Sequence, residues 1–121
     1  MYFDDAPLIR TDIPHSARIW NYWMGGKDYY EIDRIVGDAC LEIDPDISTM
    51  AVASAVFRGR IAAYLAERGI QQYLDIGCGL PTMNNLHEVV QARRPAAKIV
   101  YVDNDPLVLS HARALMTSTT P

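Results

Sequence analysis

Apolar residues recur along this chain with two different periods, and the change falls near residue 70. Before it, the spacing is helical. Within 30–43, Ile32, Ile35, Val36, Ala39, Cys40 and Ile43 share one stripe, the three-and-four spacing of an amphipathic helix with a buried Cys40 thiol. Gly37 weakens this helix without ending it. Asp44-Pro45-Asp46 stops it, because proline disfavours helical backbone in the residue ahead of it. Ser48 then caps the longest predicted helix, 49–68, with Ala53, Val56, Phe57, Ile61, Tyr64 and Leu65 facing inward. Arg58, Arg60, Glu67 and Arg68 form its solvated side, and Gly69 ends it. A shorter helix over 17–24 comes first, capped by Ser16 and closed by Gly25-Gly26. Residues 1–14 carry Pro7 and Pro14 and little periodicity, and they read as an extended lead-in.

After Gly69 the apolar residues come in short runs. Tyr73, Leu74 and Ile76 read as a short buried strand, and Lys98–Val102 as a second. Between them Gly77 and Gly79 make a tight turn. Pro81 opens a helix that runs over about 83–94, buries Leu86, Val89 and Val90 on the sheet and ends at Pro95. Asp105-Pro106 is an N-cap followed by proline at the first helical position, which starts a further helix over 107–116. His87, His111 and Arg113 are placed at the surface, and 117–121 is a polar tail. The expected fold is α/β. A helical section, 15–69, precedes a parallel β-α-β unit with a further helix, 70–121, and a right-handed crossover. Both predicted strands are apolar and both sheet edges are unpaired. Pairing with a partner chain, a partly molten state or a truncated gene product would each resolve that, and truncation is the favoured reading.

Composition narrows the class. At 121 residues, half of them hydrophobic, the chain is one domain or part of one. A formal charge of −4 gives no electrostatic footprint for nucleic acid. No apolar run approaches the roughly 18 residues of a membrane span, and the start has no basic n-region. Cys40 and Cys78 lie far apart with no zinc-type spacing, which reads as a reduced, cytoplasmic protein without a metal. Among the residues no Ser–His–Asp set or carboxylate dyad stands out, so no catalytic residue is assigned.

Strand, glycine turn, helix, strand and acid is the opening of a nucleotide-binding α/β fold. Asp103, just past the second strand, can accept hydrogen bonds from both hydroxyls of a ribose, and Asn104 would neighbour the base. Asp105 already has a capping role. The dinucleotide fingerprint G-x-G-x-x-G is incomplete, since Thr82 stands at its sixth position. Asp75, ahead of the glycines, would repel a pyrophosphate and attract an ammonium or sulfonium group. S-adenosyl-L-methionine (SAM) carries both cations, a ribose and no phosphate, so this arrangement suits it better than NAD. Asp75 can also simply bond the amides of its own turn. Cys78, between the glycines, belongs to the same cofactor-facing turn with a dispensable side chain.

D-I-G-C-G-L at 75–80 is similar to motif I of class I SAM-dependent methyltransferases, and V-D-N-D-P at 102–106 to their acidic loop. More narrowly, H-S-A-R-I-W-N-Y-W-M-G-G-K-D at 15–28, L-D-I-G-C-G-L-P-T at 74–82 and V-Y-V-D-N-D-P at 100–106 resemble one bacterial family of SAM methyltransferases. The likeness runs over about 13–116. It implies a partial Rossmann-like class I methyltransferase fold, the N-terminal half only, with SAM as cofactor and methyl transfer to an acceptor the sequence does not name. Pro81 stands in place of the third motif-I glycine. Under this resemblance the aromatics of 17–24 and the G-G-K-D turn close over the cofactor, with Lys27 pairing the methionine carboxylate. A plain packing role for Trp20 and Trp23 is the other reading. Two rival functions stay open: a NAD-type oxidoreductase fragment, and a non-enzymatic remnant or interaction module that self-associates through its strand edges.

Overall fold

The computed structural model describes residues 8–81 and 84–115. Three helices come first: α1 (Ser16–Trp23), α2 (Glu31–Ile43) and α3 (Ile47–Glu67). They lead into β1 (Gln72–Ile76), α4 (Leu86–Gln91), β2 (Lys98–Val102) and α5 (Pro106–Leu115). The strands pair in parallel, from Gln72 opposite Lys98 to Ile76 opposite Val102. The expected element order is therefore present. The polar tail, the first half of the lead-in and residue 83 fall outside the described residues, and α4 is shorter at both ends than the helix expected over 83–94.

Local chemistry moves several boundaries and faces. The cap of α1 is His15, not Ser16. The extended backbone of His15 lays its imidazole over the first turn, where Nδ1 accepts from the Ala17 N–H at 3.3 Å. Likewise α3 starts at Ile47 behind Asp46, two residues ahead of the expected Ser48 cap. On α2 the buried face runs through Asp33 and Gly37, whereas Ile35 and Ile43 are exposed and Cys40 is only partly buried. Gly37 explains this. A Cβ there would stand 2.6 Å from the Tyr22 ring, so its absence lets α1 pack directly on α2. Trp23 Nε1–H then donates to the Gly37 carbonyl at 3.2 Å.

A buried ion pair fastens α1 to α2. Arg18 Nε lies 3.1 Å from Asp33 Oδ2, and the guanidinium also donates to the carbonyls of Arg10 and Ile13. Asp33 accepts from the backbone N–H groups of His15 and Tyr30. Both charges are thus paired and hydrogen-bonded, which is the condition for burying them without a large desolvation penalty.

The inward face of α3 differs from the expected one. It packs through Ala51, Ala62 and Ala66, while Val56 and Phe57 remain 56% and 61% exposed. Alanines allow close approach, and Ala62 and Ala66 share a core with Val90 of α4 and Ala97. Tyr73 and Ile99 join that core from the same face of the sheet. Leu74, Ile76, Val100 and Val102 occupy the opposite face and are exposed, so β1 is not the buried strand its composition suggests. A second core joins Ala17, Cys78, Leu80, Leu107 and Val108 under the start of α5. His87 is not a surface residue. It is buried on α4, where its backbone N–H donates to the Tyr101 hydroxyl and its Nδ1 lies 2.7 Å from the same oxygen.

Candidate functional site

The β1 turn and the end of β2 are stitched to each other. The Val102 carbonyl accepts from both Gly77 N–H (2.7 Å) and Cys78 N–H (3.2 Å). Asp103 Oδ2 accepts from Gly79 N–H at 3.0 Å, and Oδ1 from Asp105 N–H at 2.9 Å. Asp105 in turn caps α5 through Leu107 N–H, as its sequence position predicts. Gly77 and Gly79 both have positive φ, at 70° and 72°, which an L-residue adopts only with strain. A Cβ at either would meet nothing within 4 Å, so the ground above the turn is open to a ligand.

That ground is the floor of a cavity of about 550 Å³, within the range of small-molecule sites. The turn lines it with Gly77, Cys78 and Gly79, and the β2 end with Asp103 and Asn104. One wall is α1 with its cap, from His15 to Trp20 and Met24; the other is α3, with Ser54 and Arg58. The two tryptophans therefore divide, Trp23 packing on α2 and Trp20 facing the cavity. Asn104 is held by His15, whose Nε2 lies 3.1 Å from Oδ1. That contact is a hydrogen bond when Nε2 carries a ring proton, because the amide oxygen can only accept. Asp105 Oδ2 lies 3.3 Å from Nδ1 on the other side.

Electrostatics set the tone of the cavity floor. Burial raises the pKa of Asp75, Arg58 opposes this, and the charge of Asp103 adds to it. Burial also pushes the Cys78 thiol up to about 11, helped by Asp103 and Asp75. Cys78 is therefore a protonated, packed thiol at neutral pH and not a nucleophile. Among the described residues no group of acids, histidines or cysteines could hold a metal.

Of the residues singled out from sequence, Gly77, Cys78, Gly79, Asp103 and Asn104 come together around the cavity. Asp75 is half-buried one residue short of the lining, and Lys27 is exposed on its turn and outside the lining. The sequence reading missed Arg58 and His15. The signal for Arg58 lay in the alanines: Ala51, Ala55, Ala62 and Ala66 recur at helical spacing, and Arg58 falls on the same stripe.

Residues 4–121 match a family described as S-adenosyl methyltransferase. Among solved structures, a DUF574 family protein from Streptomyces avermitilis MA-4680 superposes with a TM-score of 0.88 at 47% identity, covering 93% of this chain. A protein of Thermobifida fusca YX, described as a candidate methyltransferase, gives 0.84 at 42% identity over 91%. The chain spans 43% of the length of each of these two. No curated protein matches it.

Proposed function

Because the chain belongs to the S-adenosyl methyltransferase family, we propose that its cavity binds S-adenosyl-L-methionine and forms the cofactor half of a methyltransferase site. One observation carries this reading. Asp103 closes β2 beside two glycines whose open backbone faces the same cavity. Its carboxylate is fixed by two backbone amides and keeps lone pairs for the two ribose hydroxyls, since an ionised carboxylate has about four acceptor positions. Asn104, steadied by His15, stands beside it for the base. Gly77, Cys78 and Gly79 let the methionine portion lie against the backbone, with Asp75 supplying negative charge for its ammonium and sulfonium groups. Trp20 and Met24 shield one side from water.

SAM supplies an electrophilic methyl group, and an acceptor attacks it in line. The protein's part in such a reaction is to hold the two partners in position. Among the described residues no catalytic base is assigned, and the acceptor stays unassigned. Two free cysteines fit work in the reducing cytoplasm. Among the described residues no helix is long and apolar enough to cross a membrane.

Calorimetric titration of the chain with S-adenosylhomocysteine, with NAD as control, tests the proposal. Micromolar binding of the first and none of the second is expected. Asp103→Asn should weaken binding by about ten- to hundredfold, the effect of losing hydrogen bonds to a charged group. A folded chain that binds neither compound, or NAD alone, sinks the reading.

A further inference from the structure

A ligand with an amino-acid end brings a carboxylate as well as an ammonium group into the cavity, and a carboxylate taken from water needs a cation or several donors. The cavity floor is acidic, with Asp103 in the lining and Asp75 just behind it. Among the described residues, Arg58 is the one permanent cation in the lining. It comes from the middle of α3, on the alanine stripe that turns toward the sheet, and is itself partly buried. Its positive field reaches Asp75 and Cys78 at the start of the glycine turn. That end of the cavity lies past β1, and Asp103 and Asn104 follow the end of β2. Lys27 sits on an exposed turn away from the lining.

We propose that Arg58 binds the carboxylate of the ligand's amino-acid end, so that α3 as well as the glycine turn reads that portion of the cofactor. The inference rests on the cavity being a SAM site. Its guanidinium presents donors in a planar fork that matches a carboxylate bidentately. With Asp75 on β1 and Arg58 on α3, the two ends of a zwitterion have separate partners: the ammonium group turns toward the β1 acid and the carboxylate toward α3. Such a pair discriminates a free amino-acid end from a ligand that lacks either charge.

The test compares S-adenosylhomocysteine with its decarboxylated analogue, which keeps the sulfur, the adenosine and the amine. The wild-type chain should bind the parent compound about ten- to hundredfold more tightly. Arg58→Gln should erase most of that preference by weakening the parent alone, and Arg58→Lys should restore part of it. Equal weakening of both ligands by Arg58→Gln would mark a purely structural role and overturn the inference. So would an intact preference in Arg58→Gln, or loss of the preference in Lys27→Ala instead. The wild-type comparison needs no variant to fold: equal affinity for the two ligands removes the carboxylate site while leaving SAM binding in place. Failure to bind either ligand removes the SAM reading itself, and Arg58's role with it.

Discussion

Asp75 is a carboxylate held where burial makes its charge unwelcome. Its folded pKa is raised, chiefly by burial, so its contribution to stability is greatest below the unfolded pKa and is lost as pH rises. At neutral pH the ionised form therefore works against the empty fold. Asp75→Asn is expected to raise the melting temperature of the free chain and to weaken S-adenosylhomocysteine binding, a trade of stability for function. A thermal scan with and without ligand reads both. Cys78 has the same sign at higher pH. Stability should decline as pH climbs from about 9, its ordinary value, through about 11, and Cys78→Ala should flatten that decline in urea titrations. Iodoacetamide at pH 8 should label Cys40 well before the buried Cys78. At this scale the sequence was most informative where backbone geometry dictates residue type: Gly77, Gly79, Asp103 and the Asp105 cap. It was least informative for His87 and Arg58, whose surroundings depend on which way a helix turns. Polar side chains on a helix read as solvated unless the partner that buries them is known.

Among the elements, α1 shows how polar contacts help to fix a cavity wall. Arg18 and Asp33 anchor it from below, and His15 ties its first turn to the loop after β2. Removing one member of a buried pair strands the other, at a cost of about 3–5 kcal/mol. Asp33→Ala should lose that much unfolding free energy in urea and release α1 from hydrogen-exchange protection first. His15→Ala removes a cap and the contacts to Asn104 and Asp105, with the cap alone worth about 1 kcal/mol. It should nevertheless weaken S-adenosylhomocysteine binding, because Asn104 loses its hold; unchanged affinity would dismiss His15 from the site. Helix existence and order were legible from apolar spacing and breakers. Facing was not. For α2 and α3 the largest apolar residues suggested one inward side, and the small residues Gly37, Ala51, Ala62 and Ala66 chose another. Close helix packing is driven by what can be approached, so a stripe of small residues outranks a stripe of large ones here.

At the scale of the whole molecule, two strands carry a parallel sheet covered on one face. Leu74, Ile76, Val100 and Val102 leave the other face bare, and Val56 and Phe57 add apolar surface on α3. Isolated chains rarely keep so much contiguous apolar area in water. Light scattering of the purified chain at tens of micromolar should report species above the monomer mass, and Val100→Lys with Phe57→Lys should shift them toward it. A monodisperse monomer that binds no hydrophobic dye would refute this. Sequence alone indicated that the strands lacked partners. It did not indicate which face α4 would take, because both strands are apolar on both sides.

The stitching of the glycine turn to the end of β2 has a consequence for kinetics. The Val102 carbonyl and the Asp103 carboxylate lock together two chain segments more than twenty residues apart in sequence, before any ligand is present. The conformational entropy of that loop is surrendered during folding and is not charged again on association. A ligand meets a floor already in shape, so encounter, not rearrangement of the turn, should set its arrival rate. Affinity changes in turn variants should then appear mainly in how quickly the ligand leaves.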